Sequence, residues 1–158
     1  MAELNYPVLG KYIHKYFAAE LNMLVWSLID LAEKRKPEDE YRMINAAYAS
    51  LYHWSEIGAP ENLQRGEWLI AHVWALLKKP EFALYHAKAC LHLTELHEMK
   101  DFDLAFGYEV MARAYGVAGD ADKYAEYYAK AREAGEKIED AEDRKIFEET
   151  IETCLLCE

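Results

Sequence analysis

The stretch Ala112-Arg-Ala-Tyr-Gly-Val-Ala-Gly-Asp-Ala-Asp-Lys-Tyr-Ala-Glu-Tyr-Tyr-Ala-Lys-Ala131 decides how this chain is read. It spells a helix, a Gly119-Asp120 stop and restart, and a second helix. Small residues and tyrosines recur at helical spacing on both sides of the turn. The same wording occurs one repeat earlier. Ala71-His-Val-Trp74 answers Ala112-Arg-Ala-Tyr115 at a distance of 41 positions, and Tyr85-His-Ala-Lys-Ala89 answers Tyr127-Tyr-Ala-Lys-Ala131 at 42. An internal repeat of helix pairs is the signature of an α-solenoid, because one pair cannot bury its apolar face without a neighbour.

Punctuation outside that stretch extends the pattern. Pro37, Pro60 and Pro80 are each followed by Glu, which suits a first helical turn with an acid at the positive end of the dipole. These marks predict helices over Val8 to Arg35, Pro37 to Ile57, Pro60 to Lys79 and Pro80 to Glu98. Gly58 is expected to be a left-handed stop. Lys100-Asp-Phe-Asp103 offers an aspartate cap for a fifth helix ending at Ala118. Asp120 caps a sixth helix to about Lys137, and Asp140 with Asp143 resembles a capping box for a seventh reaching Leu156. No segment alternates in the manner of a strand. The expected fold is all-α, a right-handed α-α superhelix of about three helix pairs with a C-terminal capping helix. It forms one domain over 1–158, with repeats near 8–57, 60–98 and 102–137 and a cap at 140–156. From Glu133 to Glu158 ten acids face three bases, while Ile146, Phe147, Ile151 and Leu155 keep one apolar stripe, as a solenoid end requires.

Composition restricts the function. The 158 residues are 53% hydrophobic and 30% charged, the makings of a folded core rather than a disordered chain. A net charge of −11 argues against nucleic acid, which demands clustered Lys and Arg, and against an anionic membrane surface. Lys11, Lys15, Glu20 and Asp30 interrupt the most apolar region, so no membrane span is expected. The first residues lack the pattern of a signal peptide, and three cysteines make no disulfide framework. The expectation is a cytoplasmic protein.

Residues Met111, Ala112, Tyr115, Gly119, Asp120, Tyr128 and Ala131 fall where a tetratricopeptide repeat places its apolar, small, aromatic and turn positions. Ile70, Ala71, Trp74 and Cys90 occupy the same frame one repeat back. The segment 67–135 therefore resembles that family, and the whole chain is similar to bacterial repeat proteins of this type. Tyr124 departs from the pattern, no proline closes either unit, and the repeat is roughly seven residues longer than the usual 34. The resemblance implies a non-enzymatic scaffold that holds a protein or peptide segment in a concave groove. It carries the groove-facing positions to Arg65, Trp68 and His72 on the third helix and to Glu109 and Arg113 on the fifth. Arg113 offers a donor fork for a carboxylate or carbonyl, and Trp68 an apolar anchor. The competing reading pairs Arg113 with Glu109 one turn away and puts Trp68 in the core.

Other constellations offer chemistry or packing of their own. His53 with Glu56 and His92 with Glu95 share i, i+3 spacing, which helical bundles use for metals. The carboxylate-first Glu-x-x-His order is missing, however, and no metal or cofactor is expected. Cys154-Leu-Leu-Cys157 ends a helix without the strand a redox motif needs, so it reads as packing or a tail. Gly107 and Gly116 stand inside a helix, each costing about 1 kcal/mol relative to Ala, which suggests close backbone packing or a bend. Twelve tyrosines and four tryptophans exceed what one thin helical layer buries, so a homodimer is the alternative to peptide binding. A metal-dependent bundle enzyme is the more distant one.

Overall fold

The computed structural model describes residues 6–156, with side chains from residue 9 onward. Among these residues there are seven α-helices and no strand: α1 Tyr6–Ile29, α2 Pro37–Ile57, α3 Pro60–Leu76, α4 Pro80–Leu96, α5 Asp101–Ala118, α6 Ala121–Gly135 and α7 Ala141–Glu152. Consecutive helices pack on one another, most extensively as α1 with α2, α3 with α4 and α5 with α6. Helix α3 also lies on α5, and α7 folds back across α5 and α6. One apolar core runs through all of them, from Val25 on α1 to Cys154 beyond α7.

Local chemistry sets most helix starts. Pro37, Pro60 and Pro80 open their helices, where a missing N–H costs nothing. Side chains three residues past the cap return to it: Lys36 N donates to Asp39 Oδ2 (3.1 Å) and Ala59 N to Asn62 Oδ1 (2.9 Å). Asp120 and Asp140 cap α6 and α7 as expected, accepting from Lys123 N and from Glu142 N and Asp143 N.

Helix ends show a shared device. Lys79 N reaches Trp74 O, Met99 N reaches Thr94 O and Asp120 N reaches Tyr115 O, so α3, α4 and α5 close with the same six-to-one hydrogen bond. Each closure needs a left-handed residue, which is Lys78 (φ 55°), Glu98 (φ 48°) or Gly119 (φ 73°). Only the last is a glycine. A side chain costs roughly 1 kcal/mol in that conformation. Lys78→Gly is therefore expected to raise stability by about 0.5–1 kcal/mol in a urea titration.

Four local expectations are corrected. Helix α1 stops at Ile29 rather than Arg35, because Ala32 turns left-handed (φ 47°) and Arg35 Nη1 folds back onto the carbonyls of Leu28 and Ile29. Gly58 is extended (φ −81°, ψ 162°), not left-handed. Glycine is needed there because a Cβ would lie 2.6 Å from Trp54 O. Neither aspartate of Asp101-Phe-Asp103 caps α5. Asp101 Oδ1 accepts from Glu139 N, while Asp103 is taken by Arg65. Helix α7 ends at Glu152 rather than Leu156, its last carbonyls drawn to Arg113. The expected close packing at the helical glycines is present: a Cβ on Gly107 would meet Thr94 Oγ1 at 2.9 Å, and one on Gly116 would meet Leu155 O at 2.5 Å.

Candidate functional site

Helices α1, α3, α5 and α7 enclose a cleft of about 260 Å³, walled by Trp26, Trp68, Phe102, Phe106 and Ile146, with Arg65 among its lining residues. The aromatic wall is continuous. Trp26 stacks on Trp68 (centroids 6.0 Å apart, 26°), Phe106 meets Trp68 edge-on (5.3 Å, 81°), and Phe102 lies 4.4 Å from Phe106. Arg65 is held at this wall by two bonds to Asp103, Nε to Oδ1 at 2.7 Å and Nη2 to Oδ2 at 3.2 Å. Its guanidinium sits 5.3 Å over the Phe102 ring, with the side chain 56% exposed. The hydrogen bond to Asp103 raises its pKa further, so the charge at the cleft is permanent.

The five residues expected to face a ligand divide into two groups. Arg65 and Trp68 line the cleft. His72, Glu109 and Arg113 lie beneath it, buried, and Trp68 itself is only 7% exposed. Glu109, fully enclosed, accepts from Trp68 Nε1 (2.8 Å) and Arg113 Nε (2.7 Å). The remaining donors of Arg113 bind Thr150 O (2.9 Å), Thr153 Oγ1 (3.0 Å) and Thr153 O (3.3 Å). Arg113 thus neutralises a buried carboxylate and adds a side-chain donor to the Thr150 and Thr153 carbonyls at the end of α7. In this conformation the Arg113 fork is committed within the chain, and the pairing with Glu109 is the arrangement found. Gln64 braces the inner wall, its Nε2 donating to Thr94 Oγ1 (3.1 Å) and Asp103 O (3.0 Å).

His72 stacks on Trp68 at 4.9 Å. Burial, reinforced by the Arg113 charge, pushes its pKa well below the ordinary 6.5. The unfolded chain therefore binds a proton at a pH where folded His72 does not. That contribution to stability is complete above about pH 6.5 and is lost as the pH falls. Urea titrations between pH 5 and 6.5 are expected to show a stability slope steeper in wild type than in His72→Phe, by up to about 1.4 kcal/mol per pH unit.

Sequence reasoning did not single out Trp26, Phe102 and Phe106. Trp26 lies in the part of the chain where the repeat is weakest, and the two phenylalanines precede the stretch in which the repeat is clearest. The histidine–glutamate pairs are not brought together. His53 Nδ1 meets His14 Nδ1 at 3.0 Å, His92 is exposed on α4, and no group of three metal-ligating side chains occurs among the described residues. Cys154 is buried, which pushes its thiol up to about 12, and Cys157 lies outside the described residues. A larger open hollow of about 510 Å³ lies between α5 and α6, but its Lys130 and Lys137 are already paired with Glu126 and Glu133.

No protein-family model, no curated protein and no solved structure matches the chain. Among the described residues, no helix is long and apolar enough to cross a membrane.

Proposed function

We propose that this chain is a divergent tetratricopeptide-like superhelix acting as a non-enzymatic, cytoplasmic scaffold that binds a protein or peptide segment. The observation that carries the reading is the aromatic cleft with a half-exposed, permanently charged Arg65 at its wall. Its volume of about 260 Å³ suits one large apolar side chain, which would enter beside Trp26, Trp68 and Phe106. Asp103 occupies Nε and Nη2 of Arg65, and Nη1 would take a carbonyl or carboxylate of the same segment. The repeated helix-pair contacts and the shared closure of α3, α4 and α5 support the superhelical reading. The buried Glu109–Arg113 pair would act beneath the groove, fixing the Trp68 indole rather than touching ligand.

Selection of displayed random peptides on the folded chain tests this. Enriched peptides are expected to share a large apolar residue and to bind Phe102→Ala, Arg65→Glu at least tenfold more weakly, at unchanged helicity. Failure to enrich any sequence, or binding indifferent to the double variant, would overturn the reading.

A second reading, a homodimer, is favoured by α1. Leu9, Tyr12, Ile13, Tyr16, Phe17 and Met23 are between 42% and 70% exposed on this one helix. At roughly 100 Å² each they offer about 600 Å² per copy, approaching one side of a standard interface. Light scattering should then report a dimer that Tyr16→Glu dissociates, whereas a monomer throughout a wide concentration range would dismiss it.

A further inference from the structure

A chain of hydrogen bonds away from the cleft joins α2, α3 and α4. Glu67 Oε2 lies 2.6 Å from His86 Nδ1, His86 Nε2 lies 2.7 Å from the Tyr48 hydroxyl, and Trp74 Nε1 donates to that hydroxyl at 3.1 Å. The donor inventory fixes the roles. A carboxylate only accepts and an indole only donates, so in the neutral ring His86 carries its proton on Nδ1, toward Glu67. Its Nε2 lone pair then accepts the Tyr48 O–H, while the phenolic oxygen accepts from Trp74. This is a nucleophile, a base within hydrogen-bond reach of it, and a third group orienting the base.

Burial is graded along the same line. The His86 side chain is 9% exposed and that of Glu67 20%, whereas Tyr48 is 39% exposed and its bond to Trp74 lies at the surface. The imidazole is thus shielded from competing water while the phenol remains reachable. Trp74 stacks on Phe82 at 4.7 Å, and Phe82 is 45% exposed, which places an apolar aromatic edge beside the hydroxyl. Such an edge suits a flat aryl group.

We propose that Tyr48 is a base-activated nucleophile, acylated by activated aryl esters, with His86 as the base and Glu67 as the residue that positions His86. In the step, the phenolic oxygen of Tyr48 attacks the ester carbonyl carbon and forms the new C–O bond. The phenolic proton passes to His86 Nε2, and Glu67 balances the imidazolium. The adduct then collapses by breaking the bond to the aryloxide, which leaves with the electron pair. Return of the proton from His86 to the aryloxide, directly or through water, restores the base. The products are a tyrosyl ester and a phenol, with no other reactant consumed. The Trp74 indole N–H fixes the phenolic oxygen in place and eases loss of its proton, while the negative charge of the adduct falls on the former carbonyl oxygen.

The chain contains its own controls. Tyr12 is 70% exposed and Tyr41 71%, both far more accessible than Tyr48. Accessibility by itself would acetylate these two and the equally exposed Tyr85 ahead of Tyr48; Tyr85 lies against the His86 ring and is not used as a reference. The full chain is treated with p-nitrophenyl acetate, and the acetylation rate at each tyrosine is read by peptide mass spectrometry. Tyr48 is expected to react at least about tenfold faster than Tyr12 and Tyr41, a floor set beneath the roughly 10²–10⁴-fold that general bases supply. In His86→Gln and Glu67→Gln the Tyr48 rate should fall to or below that of Tyr41, while Tyr12 and Tyr41 keep their wild-type rates. Unchanged reference tyrosines show that the reagent acts equally on each variant, and circular dichroism melts separate loss of activation from loss of fold. Should His86→Gln fail to fold, Glu67→Gln carries the comparison. Reaction in order of exposure in the wild type, or a Tyr48 preference that survives Glu67→Gln in folded protein, would overturn the proposal.

Discussion

Arg113→Met is expected to lower stability by about 3–5 kcal/mol, the cost of leaving a buried charge without its partner. Methionine keeps much of the volume but none of the donors. Glu109 is fully enclosed and would retain only the Trp68 indole N–H. Thr150 O would keep Thr153 N and Oγ1, but it and Thr153 O would lose the Arg113 donors that tie the end of α7 to α5, so that end should loosen as well. Adding Glu109→Gln removes the stranded charge, and the double variant is expected to recover about half of the loss. Urea denaturation of the two singles and the double measures the coupling. A single-variant loss below about 1 kcal/mol would mean that the pair behaves as a surface ion pair.

Phe147 offers the second large effect. It is 1% exposed, meets Phe106 edge-on at 5.4 Å, and fills the notch left by the missing side chain of Gly135. Phe147→Ala is expected to cost about 3–5 kcal/mol through lost burial and a cavity between α6 and α7. Gly135→Ala tests the same contact from the other side. In a helix that change ordinarily gains about 1 kcal/mol, but a Cβ on Gly135 would overlap the Phe147 ring. Overpacking should reverse the sign, to a net loss of about 1–2 kcal/mol. Combining it with Phe147→Leu is expected to restore part of that loss. Thermal melts monitored by circular dichroism are sufficient, and stabilisation by Gly135→Ala would contradict this packing.

Both effects bear on the cleft. Arg113 and Phe147 attach α7, and α7 supplies Ile146 and Thr150 to the cleft lining. A variant that frees α7 should therefore weaken the proposed peptide binding even though neither residue lines the cleft.

What the sequence determined by itself was the set of helices and most of their starts. Pro37, Pro60, Pro80, Asp120, Asp140 and Gly119 act through bonds that span two to five residues, so their effect is contained in the local chain. The Arg113–Glu109 pair was legible for the same reason, being one helical turn long. Its burial was not. Only the tertiary structure brought α7 over it, and only the tertiary structure sent Asp103 to Arg65 across 38 residues and Trp68 to Glu109 across 41. A capping aspartate and an aspartate bound to a distant arginine look alike in a sequence, because both satisfy the same lone pairs. Local rules therefore placed the elements. The choice of partner, and with it the aromatic cleft and the Tyr48–His86–Glu67 chain, came from which helix faces pack together.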